Sequence, residues 1–124
     1  MIVTTAAHAR TTETPNAVMT CLAAPSLGCV ELSSWRVEMR AGAEGPPHGI
    51  DREQVWMPVT GSFAITVDGR TVVLTPGDAA VLPAGVVRQI RVAEGPAEAL
   101  VCMPVGGQAT LPDSGERRRL PWAE

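Results

Sequence analysis

The chain contains no lysine, and all its formal positive charge rests on ten arginines. Set against thirteen acidic residues they leave a net charge of −3, which excludes a polycation and argues against a nucleic-acid partner. The one basic run, Arg117-Arg118-Arg119, lies near a terminus and reads as a solvated segment. Cysteines are few, at positions 21, 29 and 102, odd in number and without a C-x-x-C pair. That pattern excludes a disulfide framework and a structural zinc site, and it fits a reducing cytoplasm. Long hydrophobic runs are also missing: none reaches the roughly 20 apolar residues of a membrane span. Ala17 to Val30 is apolar, but Glu13 and Pro15 precede it, Thr20 and Ser26 interrupt it, and no basic segment leads it, so it does not read as a signal peptide. Ser26-Leu27-Gly28-Cys29 matches a lipoprotein cleavage site only imperfectly. No long helical period and no internal repeat is found.

What is present is punctuation. Eleven prolines and twelve glycines recur at short intervals. Between them lie short runs rich in Val, Ile, Leu and Thr, the pattern of an all-β domain. A chain of 124 residues makes one such domain, large enough to bury roughly two thirds of its unfolded surface. The best local signal is Phe63 to Leu74. Asp68-Gly69 supplies the left-handed conformations of a two-residue type I′ turn, so Val67 faces Arg70, Ile65 faces Val72 and Phe63 faces Leu74. Upstream, Trp35, Val37 and Met39 alternate with Arg36, Glu38 and Arg40 as a half-buried strand does. Downstream, Ala79 to Leu82, Val86 to Val92 and Ala99 to Val105 read as three further strands. The expected organisation is an N-terminal arm or strand over 1–16, a barrel over 17–105 and a C-terminal tail over 106–124. The two terminal segments read equally as ordered arms or frayed ends.

Two glycine frameworks stand out. The first runs Gly42, five residues, His48-Gly49-Ile50, three residues, Gln54, six residues, Gly61. The second runs Gly77, five residues, Pro83-Ala84-Gly85, two residues, Arg88. Together, and in this order, they resemble the two motifs of the cupin superfamily over roughly residues 30 to 105. The resemblance implies an antiparallel jelly-roll or double-stranded β-helix barrel, RmlC-like, and by analogy a homodimer. It also implies a metal held by two His and a Glu of the first motif and a His of the second. Of those four places only His48 keeps its ligand. Ile50 has no lone pair, Gln54 offers a neutral carbonyl, and Arg88 is a cation without an acceptor. The expected cofactor is therefore none, with at most a weakly bound divalent metal on His48 with Gln54 or Glu53.

Each position carries two readings. His48 is either a core histidine bonded to backbone or a hydrogen-bond donor and proton carrier in a site. Gln54 shares the strand parity of His48 and Trp56, which makes it pocket-lining, and Trp56 is either plain core or the aromatic wall of the same pocket. Arg88 on an inward position needs an acidic partner: an anionic ligand, a carboxylate such as Asp51 or Glu53, or else a strand slip that turns it outward and Gln89 in.

The expected function is a cupin that binds a small anionic metabolite, a carboxylate or keto/enol acid, without a conventional metal. Arg88 and His48 would be its catalytic residues, with Gln54 and Trp56 completing the ligand site. Isomerisation, cyclisation or dehydration suits such groups, because these reactions move protons and stabilise oxyanions. The alternatives are a non-catalytic ligand-binding module, and a degenerate metal-dependent dioxygenase built on His48, Gln54 and a recruited Glu53 or Cys102. Neither a nucleic acid nor a membrane is an expected partner.

Overall fold

A computed structural model describes all residues, Met1–Glu124. Ten strands form one antiparallel sheet that curls into a barrel. They are β1 (Arg10–Glu13), β2 (Val18–Ala23), β3 (Leu32–Met39), β4 (His48–Ile50), β5 (Gln54–Val67), β6 (Arg70–Leu74), β7 (Ala80–Leu82), β8 (Val87–Pro104), β9 (Ala109–Thr110) and β10 (Arg117–Arg118). The other regular elements are three single turns of 3-10 helix, and no helix is long and apolar enough to cross a membrane.

The long strands β5 and β8 make the barrel. The first half of β5 pairs with β7 and with the second half of β8, which continues through β3 and β2 to β1. The second half of β5 pairs with β6 and with the first half of β8, which continues through β4 and β9 to β10. Between the halves, register shifts at Pro58, Thr60 and Ser62 bend β5 from one layer into the other, as bulges do. Gly61 sits in this bend at φ 64.

Alternation then decides what is inside. Trp35, Val37 and Met39 of β3 meet Phe63, Ile65, Ile90 and Val92 across the barrel, with Ala97, Ala99 and Val101 completing the core. The Asp68-Gly69 hairpin has the expected register, with both turn residues at positive φ. One expectation changes: the two strands expected over Val86 to Val92 and Ala99 to Val105 are a single continuous strand, Val87–Pro104, that runs through Gly95-Pro96. Its proline falls where β5 opposite is itself bulged, so no ladder donor is missed. At the ends, β1 pairs with β2, β9 pairs with β4, and Leu120 and Ala123 are buried in the core, so both terminal segments are ordered arms.

Candidate functional site

Three turns gather at one end of the barrel: Asp51 to Glu53 between β4 and β5, Asp68-Gly69 between β5 and β6, and Pro83 to Val86 between β7 and β8. The amide of Gly85 donates to Ile50 O at 2.7 Å and ties the third turn to β4. Register places a row of side chains across this mouth, because His48 pairs with Arg88, Arg88 with Val67, and Val67 with Arg70. One step inward the row is Ile90, Ile65 and Val72, and one step further it is Val92, Phe63 and Leu74. The mouth is basic and the interior apolar.

Arg88 points inward and is 1% exposed, so the slip that would expose it does not occur. Gln89 instead faces outward, where its amide donates to Glu44 and to Gly45 O. The Arg88 guanidinium donates from Nε to Val86 O at 3.0 Å, from Nη1 to Gln54 Oε1 at 3.0 Å and from Nη2 to Pro83 O at 3.2 Å. All three acceptors are neutral. The expected internal salt bridge is therefore corrected: Asp51 accepts the Gln108 amide at 2.7 Å and lies 3.4 Å from Arg117, and Glu53 is exposed. Asp51 is thus held toward β9 and β10, away from Arg88. Burial lowers the Arg88 pKa to about 10, which leaves it a cation at neutral pH with no counter-charge in the barrel.

Gln54 and Trp56 complete the cluster. Gln54 Oε1 also accepts from Trp56 Nε1 at 3.2 Å, and its Nε2 approaches Met103 Sδ at 3.6 Å. Trp56 stands edge-on to Phe63 with ring centroids 5.8 Å apart. Both residues are buried. His48 is half-buried, and its Nδ1 donates to Pro46 O at 2.9 Å. A carbonyl only accepts, so Nδ1 carries the proton and a neutral His48 presents a lone pair on Nε2. Hydrogen-bond donation from Nε2 therefore requires the imidazolium. Desolvation lowers the His48 pKa, the Arg88 charge adds to this, and the Pro46 bond opposes it.

Three of the four residues expected at the site, Gln54, Trp56 and Arg88, are hydrogen-bonded together, and His48 faces Arg88 across the β4–β8 pair but bonds to Pro46. None of the four is among the residues that wall the neighbouring cavity. A cavity of about 560 Å³ adjoins them and is walled by Ile65, Val67, Val72, Leu74 and Leu82, with Asp68, Arg70 and Pro83 also lining it. The reason is satisfaction: a buried amide and a buried guanidinium without a carboxylate in reach satisfy each other and the nearest carbonyls. Arg70 is the residue that sequence reasoning missed. Its signal was available, since the Asp68-Gly69 register puts it opposite inward-facing Val67.

The family model for the cupin domain matches residues 35–103. The chain belongs to the cupin family. Among curated cupin relatives, homogentisate 1,2-dioxygenase of Rhodopseudomonas palustris is 31% identical over 68 residues, covering 55% of this chain and 15% of that protein. The chain thus spans about 15% of the length of the curated relatives it matches. Among solved structures, KdgF from Halomonas sp. superposes with a TM-score of 0.71 at 22% identity, covering 84% of this chain and 92% of that one. Oxalate decarboxylase of Bacillus subtilis gives 0.72 at 19% identity, covering 84% of this cupin and 29% of that chain. These likenesses carry the fold.

At the four cupin ligand places the donor set is poor. His48 Nε2 is one free imidazole ligand, Gln54 Oε1 already accepts two hydrogen bonds, Ile50 has none to offer and Arg88 holds positive charge there. No group of three or more His, Cys, Asp or Glu side chains elsewhere is spaced to hold an ion. The residues do not fit a transition-metal centre.

Proposed function

We propose that this cupin binds a small organic anion, a carboxylate or keto/enol acid, at the barrel mouth without a metal. One observation carries the reading: Arg88 is a buried guanidinium whose partners are all neutral. A buried charge without a counter-charge costs several kcal/mol, and three of its five N–H groups are used. A carboxylate that enters beside Arg88 and displaces one of its neutral acceptors at the Pro83–Val86 turn supplies the missing charge in a charge-assisted contact. His48 adds a neutral imidazole whose Nε2 accepts a proton, so an acid bound beside it is placed for proton transfer, with Arg88 stabilising the developing oxyanion. That equipment suits isomerisation, cyclisation or dehydration. Two of the similar proteins, homogentisate dioxygenase and oxalate decarboxylase, are named for organic acid anions, which supports the ligand class. The reactions in their names are not carried over to this chain.

The test is a calorimetric panel of carboxylic and keto acids against wild type and Arg88→Gln. We expect at least one acid to bind the wild type and to lose about 2 kcal/mol or more in the variant, as loss of a charge-assisted pair does. The ligand-free variant should still fold, because the guanidinium hydrogen bonds it loses, about 1.5–3 kcal/mol each, are offset by relief of a buried charge that has no counter-charge, and no carboxylate is left behind. Elemental analysis of protein purified without added metal should give far less than one equivalent of any transition metal. Near-stoichiometric Fe, Mn, Zn or Ni that is lost on His48→Ala would overturn the metal-free reading.

A further inference from the structure

Strands β6 and β7 both pair with β5 and not with each other. The bend of β5 at Gly61 carries them into different layers, β7 alongside Gln54–Trp56 and β6 alongside Phe63–Val67. The barrel wall is therefore open between their edges, and the cavity of about 560 Å³ lies in that gap. Its size is that of a small-molecule site. Inner-face side chains of both strands look into it, Val72 and Leu74 from β6 and Leu82 from β7, with Ile65 and Val67 as its floor. Val72 is 40% exposed, an unusual position for an inward-facing valine and the consequence of the missing partner strand.

Charge is distributed along this cavity in one sense. Its inner part is apolar, whereas its outer rim carries Arg70, which makes no hydrogen bond or ion pair, and the mouth row holds Arg88 one residue beyond Val67. Pro83, on the cavity rim, is also the residue whose carbonyl holds the Arg88 guanidinium. Asp68 and Arg70 share that rim, and Arg88, buried behind Val67 and Pro83, adds a second guanidinium with no second carboxylate. A ligand matching this distribution has a negative head at the mouth and an apolar body directed inward.

We propose that the opening between β6 and β7 receives the apolar body of an amphipathic carboxylic acid, with its carboxylate in the His48–Arg88–Arg70 row and its alkyl or aryl part over Ile65, Val72, Leu74 and Leu82. The proposal rests on the anion-binding reading and adds to it a ligand class and a lateral route of entry. Short acids then bind through the head alone, and affinity grows with the apolar length that the cavity can cover. Each buried methylene contributes about fourfold in affinity, from the ~0.8 kcal/mol of its transfer.

The experiment is calorimetric titration of the straight-chain acids from acetate to decanoate, with the matching alcohols as neutral controls, into wild type, Val72→Trp and Arg88→Gln. Val72 is exposed, so Val72→Trp fills the gap from its rim without removing core packing. We expect wild-type affinity to rise about fourfold per methylene before levelling off, Val72→Trp to flatten that rise while leaving the shortest binding acids unchanged, and Arg88→Gln to weaken acids of every length alike. Acids that bind wild type with no dependence on length, or a rise that survives in Val72→Trp, would overturn the cavity assignment and leave the anion-binding reading standing. Alcohols that bind as tightly as acids, with a length dependence lost in Val72→Trp, would keep the apolar cavity but remove both the anionic head and the anion-binding reading. No binding of any acid would overturn both.

Discussion

At the scale of single residues, His48 is the position where pH should be felt. Its folded pKa is lowered from 6.5, chiefly by burial, with the neighbouring Arg88 charge acting in the same direction against the Pro46 hydrogen bond. Between the lowered value and 6.5 the unfolded chain binds more protons than the folded one. Stability therefore falls as pH falls through that window and is insensitive to His48 above it. In thermal melts from about pH 8 to about pH 5, a range that brackets the histidine titration, wild type should lose more stability on acidification than His48→Asn does. Equal slopes for the two proteins would mean that His48 is not desolvated. The same neutral state matters for chemistry, because at neutral pH Nε2 accepts a proton and donates none. Trp56 belongs to this scale too: its indole N–H is held by Gln54 and its ring by Phe63, which makes it a support for Gln54 and hence for Arg88.

Among the elements, β5 decides most. It is one strand of 14 residues serving two layers, and it does so by bending at Gly61. A Cβ there would lie 2.5 Å from Pro96 O and 2.6 Å from Glu94 O, at a φ of +64. Both the clash and the left-handed backbone oppose any side chain. Gly61→Ala should therefore cost about 3 kcal/mol or more in equilibrium urea unfolding. Gly77 gives the contrast, because its φ is +98 but a Cβ placed on it would have no atom within 4 Å. Gly77→Ala should cost about 1 kcal/mol, the backbone part alone. Similar losses for both would show that β5 tolerates rearrangement at its bend. The two glycines that frame the motifs thus act differently, one through packing against β8 and one through turn conformation only.

For the whole molecule, the two layers are closed at the ends by segments distant in sequence. Ser33 Oγ donates to Ala123 O at 2.6 Å, and Trp122 stands edge-on to Trp35 at 6.5 Å, so residues near the C-terminus complete the core beside β3. The outer face of the β3–β8–β5–β7 layer carries half-buried Val55, Met57 and Leu100 next to exposed Val59 and Val81. An apolar sheet face bordered by the free edge of β7 gains from being covered, and we expect a homodimer in solution. Light scattering at micromolar concentration should return twice the protomer mass, and the protomer mass itself would count against this. Much of the architecture was legible in the sequence. Alternation over Trp35 to Met39 and the Asp68-Gly69 turn are local, depending on neighbours two residues apart. The two glycine frameworks placed His48, Gln54 and Arg88 in register and on the inward face. What only the tertiary structure decided involves partners far apart in the chain. Arg88 met Gln54 and two carbonyls because Asp51 was already committed to Gln108 and Arg117. Gly95-Pro96 continued a strand because β5 bulged opposite it. The open volume lay between β6 and β7 because the bend of β5 parted them. Such outcomes follow from which long-range contacts are satisfied together, and no window of sequence carries that information.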